Sequence, residues 1–281
     1  MKILITGGAG FIGTNLIIKL LKENHNVYSL DNYSTGTADN EVEGCNYITG
    51  DLFNINLLDK DFDIIFHLAG LSRIQPSFIT PFETYTANVE GTQYVCEFAR
   101  KIKAKIVYAG SSSRWHNPYQ SPYAVYKHIG EEICKMYRTS FNMNIEIARF
   151  YNVYGPYEVM DGNYAAVIGI WRRQIRDNQS ITIVGDGEQR RDFTHVDDII
   201  DGLYKIAFSG ETHNDAWELG TGFNYSLNEV YETFKERFNC NRIYIPDQHG
   251  NYRETRREND DAINRLEWEP KDRLKKYILN L

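Results

Sequence analysis

The first 31 residues constrain the fold of this chain more than any other stretch. A short apolar run, Ile3-Leu4-Ile5, leads into Gly7-Gly8-Ala9-Gly10-Phe11-Ile12-Gly13. The next segment, Thr14 to Lys22, places Leu16 and Leu20 on one helical face. A second apolar run, Val27-Tyr28-Ser29-Leu30, ends in Asp31. The order is strand, glycine turn, helix, strand, acid. Glycines permit positive φ in such a turn and let the backbone approach a pyrophosphate. The helix that starts there turns free N–H groups and its positive dipole end toward the phosphates. An acid about 20 residues on, at the second strand tip, accepts hydrogen bonds from ribose hydroxyls. A carboxylate there repels a 2′-phosphate, so Asp31 favours NAD over NADP. The plain alternative is a glycine-rich βα turn with no ligand.

The remaining bulk properties narrow the class. The chain has 281 residues, 42% of them hydrophobic, enough for one large domain or two closely packed lobes. Its formal net charge is −7 with no basic block, a poor match to nucleic acid or an anionic membrane. No apolar run approaches the ~20 residues of a membrane span. One Lys and three apolar residues before Thr6 do not read as a secretory leader. Cys45, Cys96, Cys134 and Cys240 are scattered without a C-x-x-C pair, which fits a reducing, cytoplasmic setting. The seven His show no metal-ligand spacing, so no metal is expected.

Further strand tips follow in order. Asn32 to Gly36 is a polar loop after the second strand. Asn46 to Leu52 reads as a third strand ending in Asp51, either an adenine ligand or an N-cap. Asp63 to Gly70 is a buried strand in which His67 reads as a core histidine. Tyr85 to Ile102 reads as one long helix, with Asn88 near its start. Lys105 to Gly110 is a fifth strand that delivers Ser111-Ser112-Ser113 to its tip. Strand tips of such a sheet border the ligand crevice.

Next comes Ser121-Pro122-Tyr123-Ala124-Val125-Tyr126-Lys127. Tyr123 and Lys127 are one helical turn apart and share a face. A free phenol is a poor base at neutral pH. A Lys⁺ one turn away favours the phenolate. Such a tyrosine takes a proton from a substrate hydroxyl while hydride leaves the same carbon, and a neighbouring serine hydrogen-bonds the substrate oxygen. Alone, this spacing is commonly a solvated helix face; a glycine turn and a strand-tip serine favour chemistry.

After Ile145 to Phe150 the regular alternation fades. Helices are expected over 164–176, 199–208 and 227–238, and strands over 180–184 and 217–219. Arg190 or Arg191 suits a second diphosphate, with a surface pair to Asp192 as the alternative.

At this point the chain resembles the NAD-dependent epimerase/dehydratase family, the extended short-chain dehydrogenase/reductases. The likeness rests on the glycine turn, on Asp31 to Gly36, on Gly50-Asp51-Leu52 and on His67-Leu68-Ala69. It continues through Asn88 to Thr92, Tyr123 to Lys127, Arg149 to Pro156, Gly185 to Asp198 and Leu219 to Gly222. The resemblance implies an α/β fold: a doubly wound parallel (Rossmann) sheet with a smaller C-terminal α/β substrate lobe. It places residues 1–152 in the NAD domain, with 188–210 returning to it, and 153–187 and 211–281 in the substrate lobe. It implies NAD contacts at Gly7, Gly10, Phe11, Ile12, Gly13, Asp31, Asn32, Ser34, Gly36, Asp51, Leu52, Leu68, Ala69, Asn88, Tyr123 and Lys127. Ser111, Tyr123 and Lys127 would be catalytic. Ser111, Ser112, Tyr123, Asn152 and Arg191 would meet a nucleotide sugar. A homodimer through the helices near 85–102 and 123–137 is implied as well.

Within the family, 4,6-dehydratases follow the catalytic hydroxyl with Asp-Glu; here Ser112-Ser113 stand there. The run is more similar to that of nucleotide-sugar 4-epimerases acting on UDP-hexoses or UDP-N-acetylhexosamines. A 4-keto-sugar reductase and a catalytically silent NAD-binding protein are the alternatives. Three departures stand out. Arg114-Trp115-His116 replaces the family's Val-Tyr-Gly. Tyr123 follows Ser111 by only 12 positions, which predicts a reshaped or more open sugar pocket. Gln248-His249-Gly250-Asn251 replaces Arg-x-Gly-Asp, with Arg253 as a candidate substitute cation.

Overall fold

The computed structural model describes residues 1–281. Strands β1 (Lys2–Thr6), β2 (Asn26–Asp31), β3 (Asn46–Thr49), β4 (Ile64–His67), β5 (Lys105–Ser111) and β6 (Ile145–Phe150) enter one parallel sheet. The short strands β7 (Asn152–Tyr154), β8 (Ile181–Val184) and β9 (Arg190–His195) follow, then β10 (Trp217–Leu219), β11 (Asn224–Ser226) and β12 (Arg242–Ile245). The central sheet has seven strands in the order β10-β6-β5-β4-β1-β2-β3. That order reverses between β1 and β4, which is where ligands bind in open α/β sheets.

Period-two alternation explains why both faces are covered. Ile3 and Ile5 enter one core with Ile64, Phe66 and Val107; Leu4 enters the other with Ile65, Ile106 and Tyr108. The first face is closed by α1 (Phe11–Lys22) through Leu16, Ile17 and Leu20. The opposite face is covered by α4 (Gly91–Ile102) through Val95, Phe98 and Ala99 and by α5 (Pro122–Phe141) through Cys134 and Tyr137. Upstream of α4 lie the short helices α2 (Ile74–Ile79) and α3 (Pro81–Tyr85). The helix expected from Tyr85 to Ile102 is interrupted by a π-turn at Thr86–Glu90. Both ends of the Asn88 amide are tied to the backbone of Leu71 at that turn, so the wider coil serves a tertiary contact.

Helix α7 (Val196–Phe208) also packs on the first face and begins three residues before the expected start. Its preceding strand β9 pairs instead with β7 and β11, in a separate three-stranded sheet. Trp217–Leu219, assigned from sequence to the substrate lobe, corrects the domain expectation. As β10 it pairs in parallel with β6 and completes the central sheet, with Trp217 and Leu219 buried in its core.

The second lobe has its own core. Helices α6 (Val167–Arg176), α8 (Leu227–Phe238) and α10 (Leu274–Leu279) bring Trp171, Phe234 and Ile278 together over β8. Helix α9 (Asp261–Leu266) returns to the first core through Ala262 and Leu266. Ser226 and Glu229 form a reciprocal capping box, which starts α8 where the sequence predicts. Strand β12 was not expected from the sequence; it pairs with β8 in a two-stranded edge sheet.

Candidate active site

The glycine turn is packed too closely for side chains. A Cβ on Gly13 would stand 2.2 Å from the carbonyl oxygen of Gly7, and one on Gly7 would stand 2.9 Å from the Ala69 backbone. Gly7 also has φ +77°, which an L side chain rarely adopts. This leaves bare backbone at the start of α1, the cradle a pyrophosphate requires. A cleft of about 980 Å³ opens from it across the carboxyl ends of the strands. Phe11, Ile12, Asn32, Ser34, Leu52, Leu68 and Ala69 line it as expected.

Asp31 is buried at the tip of β2. Its carboxylate accepts from the Ala9 N–H at 2.9 Å and the Tyr33 N–H at 2.8 Å, locking turn to strand. Asp51 stands at the N-cap position of the turn Leu52–Leu57 without a side-chain capping bond; its carboxylate accepts instead from Asn32 Nδ2 at 2.6 Å. One expected cofactor position needs revision. Gly36 lies against the Ala9 backbone and does not line the cleft. Asn88 lines the cleft, and both ends of its amide bond the Leu71 backbone, which shapes the loop after β4. His67 is a satisfied core histidine: its ring nitrogens meet Thr6 and Thr92, and burial lowers its pKa to about 3.

Ser111, Tyr123 and Lys127 come together near the tip of β5. Ser121 caps α5 by accepting from the Ala124 N–H, and Pro122 occupies the first turn. Ser77 on α2 accepts from the Tyr123 N–H at 3.1 Å, fixing where the helix begins. A Cβ on Gly130 would stand 2.2 Å from the Tyr108 hydroxyl oxygen, so only glycine lets α5 lie this close to β5. The Tyr123 hydroxyl thereby comes within 3.3 Å of Ser111 Oγ, to which it donates. Ser113 adds donation from its N–H at 3.2 Å and its hydroxyl at 2.9 Å, so Ser111 Oγ is held in place from both sides.

Lys127 occupies the expected position but differs in its contacts. Its ammonium donates to the Ala109 carbonyl and sits 4.5 Å from the Tyr108 ring centroid. Burial pushes its pKa down to about 8. Burial also raises the Tyr123 pKa, and the opposing influences are the Ser111 hydrogen bond and the positive charge of Arg73. Arg73 was not singled out from sequence. It stands on the cleft wall, donates from Nε to the Tyr164 carbonyl at 2.9 Å, and has no carboxylate partner. Removing it with Arg73→Met is expected to raise the Tyr123 pKa further, which moves the acidic limb of the kcat profile to higher pH. A pH series on both proteins checks this, and an unmoved limb would assign Arg73 no electrostatic role.

The two arginines, Arg190 and Arg191, differ in their surroundings. Arg190 bonds Asn224 at 3.0 Å and Glu229 at 2.9 Å, a structural role. Arg191 lines the cleft without a carboxylate, and burial lowers its pKa to about 10. Asp192 pairs with neither; its carboxylate accepts from the N–H groups of Thr221, Gly222 and Arg257. Asn152 lines the cleft, with its amide 3.2 Å from Thr255 Oγ1. Ser112 also faces the cleft, and Gln248 replaces a family arginine on its wall. Arg253 does not substitute for that lost cation: it is exposed and paired with Asp186 at 2.8 Å.

Residues 3–220 match the NAD dependent epimerase/dehydratase family. The chain belongs to this family. It is 30% identical to the UDP-glucose 4-epimerase of Mycolicibacterium smegmatis, over 96% of this chain and 94% of that protein. It is 29% identical to a UDP-N-acetyl-alpha-D-glucosaminuronate decarboxylase of Bacillus cytotoxicus, over 82% and 78% of the two chains. Among solved structures, a UDP-glucuronic acid 4-epimerase from Bacillus cereus in complex with UDP-glucuronic acid and NAD superposes with TM-score 0.91. That match has 26% identity and covers 99% of this chain and 96% of that one. NAD is the family's cofactor, and the bare glycine cradle with Asp31 at the neighbouring strand tip fits it. No helix is long and apolar enough to cross a membrane.

Proposed function

We propose that the protein is a cytoplasmic UDP-sugar 4-epimerase that works through a transient 4-keto sugar. The observation that carries this reading is the Tyr123–Ser111 pair at the β5 tip, with serines where elimination of water needs an acid and a base. The M. smegmatis and B. cereus relatives support it by name. Bound NAD supplies the hydride acceptor for C4 and returns the hydride.

In this reading Tyr123, as phenolate, takes the proton of the sugar's 4-hydroxyl and later returns it. Ser111 donates to the same oxygen as it becomes a carbonyl. Arg73 and the Ser111 hydrogen bond favour the phenolate against burial. Lys127 holds the nicotinamide ribose and fixes the β5 tip through Ala109. Gly7, Gly10, Phe11, Ile12 and Gly13 cradle the NAD pyrophosphate. Asp31, Asn32 and Ser34 hold the adenosine ribose, Asp51 and Leu52 the adenine, and Leu68 and Ala69 the inner cleft. Arg191 meets the substrate diphosphate, as an unpaired guanidinium on the cleft wall suits. Ser112 and Asn152 meet the sugar.

The test is proton NMR of UDP-, GDP- and dTDP-sugars with the protein and substoichiometric NAD⁺. Conversion of one anomeric doublet into that of its C4 epimer, without net NADH, supports the proposal. Consumption of a 4-keto sugar only when NADH is supplied would instead establish a reductase. NAD binding with no turnover of either kind would establish a silent binder.

A homodimer through α4 and α5 belongs to the same proposal. Tyr94, Met136 and Phe141 are exposed there, and Phe82 on the adjoining α3 is 73% exposed. Exposed apolar side chains on these helices suit an interface. Light scattering should give twice the 32.7 kDa chain mass; the monomer mass would contradict it.

A further inference from the structure

A second cavity, of about 910 Å³, lies beside the cleft, walled by Ser112, Trp115 and His116 on one side and mainly by residues 221–223 and 254–270 on the other. It is nearly as large as the cleft itself, and within the range that holds a small-molecule ligand. The two spaces adjoin: Ser112, Tyr151 and Thr255 line both. Between them stands a ring pair. His116, on the wall of the second cavity, stacks on Tyr252, on the wall of the cleft, with centroids 3.8 Å apart and planes 12° from parallel. Ser112, next in sequence to Ser111, stands on the wall that both spaces share.

The walls indicate what enters. Trp115 and Phe223 present half-exposed rings, 44% and 58% accessible, to the cavity. The Trp115 indole N–H is spent on Glu218 at 2.5 Å and the Arg149 guanidinium lies over the ring, 5.1 Å from its centroid, which together fix its orientation. The ionisable side chains on the wall comprise four carboxylates against two guanidiniums, apart from His116. One guanidinium, Arg257, is taken by Asp260 at 2.5 Å. The lining is mixed, with aromatic platforms among polar side chains, and its net negative charge disfavours an added carboxylate. An acetyl group would fill a small fraction of this space.

We propose that the second cavity is a substrate subsite for an N-acyl chain longer than acetyl on the hexose of the nucleotide sugar. The inference rests on the nucleotide-sugar reading above and specifies its substrate class. The chain would leave the sugar at Ser112, pass Tyr151 and lie against Trp115 and Phe223. The His116–Tyr252 pair separates it from the diphosphate region, where Arg191 lies.

The experiment compares unacylated UDP-hexose with UDP-hexosamines carrying acetyl, butanoyl and octanoyl amides, in the parent, Arg256→Trp and Phe223→Ala. Arg256 is exposed on the cavity wall and pairs with nothing, so tryptophan there occludes the space without disturbing a contact. The parent should turn over the octanoyl substrate at least as efficiently as the acetyl one. Arg256→Trp should lower kcat/KM for octanoyl by about ten-fold or more, the scale of an apolar mismatch in a pocket, and leave the unacylated hexose unchanged. Phe223→Ala should weaken octanoyl selectively and leave acetyl unchanged. The proposal is overturned if the parent converts hexose or acetyl substrates but rejects octanoyl, or if the variants change all substrates alike. If the parent converts no member of the series, the nucleotide-sugar reading falls and takes this inference with it.

Discussion

Tyr123→Phe is expected to lower kcat by roughly 10²–10⁴-fold while leaving the fold and NAD affinity near those of the parent. The substitution removes one oxygen. The ring stays between α2 and the β5 tip, and the Tyr123 N–H still donates to Ser77. What is lost is the only phenol within hydrogen-bond reach of Ser111 Oγ, at 3.3 Å. A role in chemistry predicts a fall in kcat with KM little changed, because the group acts on the proton in transit. Steady-state kinetics with NAD titration checks this. A variant that keeps full kcat would remove Tyr123 from the reaction.

The second large effect concerns stability. Behind Ser111 lies a charge cluster: buried Arg149 meets both oxygens of buried Glu131, at 2.8 Å from Nη2 and 3.2 Å from Nε, and both oxygens of the partly exposed Asp215 at 2.7 and 2.9 Å. Glu131 also lies 3.4 Å from the Ser111 N–H. Burial works against the charge on Arg149, yet its bonds to Glu131 and Asp215 raise its pKa overall. Burial likewise raises Asp215, but bonds from Arg149 and Lys135 outweigh this and hold its carboxyl well below the usual range. Arg149→Met leaves the buried Glu131 with only the more distant Arg114, 4.0 Å away, and removes the cation 3.9 Å from the buried Glu218. The expected cost is about 3–5 kcal/mol, the scale for breaking a buried pair from one side. Thermal melts of parent and variant measure it.

The sign with pH follows from Asp215. Its folded pKa lies below its unfolded one, so its contribution is full above the unfolded value and is lost as pH falls through the folded value. The stability gap between parent and variant should therefore narrow in acid. A gap that is small at neutral pH would mean that the cluster relaxes around water.

Much of this architecture is legible in the chain because local rules and tertiary demands agree there. The glycine turn, the apolar strands and the Ser226–Glu229 box each name their structure directly. Three features escape such reading. The strand β10 is only three residues long and joins the central sheet after α7, so nothing local assigns it a sheet. The edge strand β12 has two half-exposed members, Ile243 and Tyr244, and lacks a clear buried face. Arg73 acts on Tyr123 across fifty positions of sequence, and only the packing of α2 on α5 brings them together. The helix spacing of Tyr123 and Lys127 was visible, whereas the partners of Lys127 were not, since they belong to β5.

Hydride cycling at C4 is the central claim, and a substrate labelled with deuterium at C4 tests it most directly. The protein, carrying NAD, is incubated with that nucleotide sugar in ordinary water, and both epimers are examined by NMR and mass spectrometry. The account predicts that deuterium stays at C4 in both epimers, with none released to water and none gathering in free NADH. Loss of the label to solvent would show epimerisation by removal of a carbon-bound proton, and would contradict the roles given to Tyr123 and Ser111.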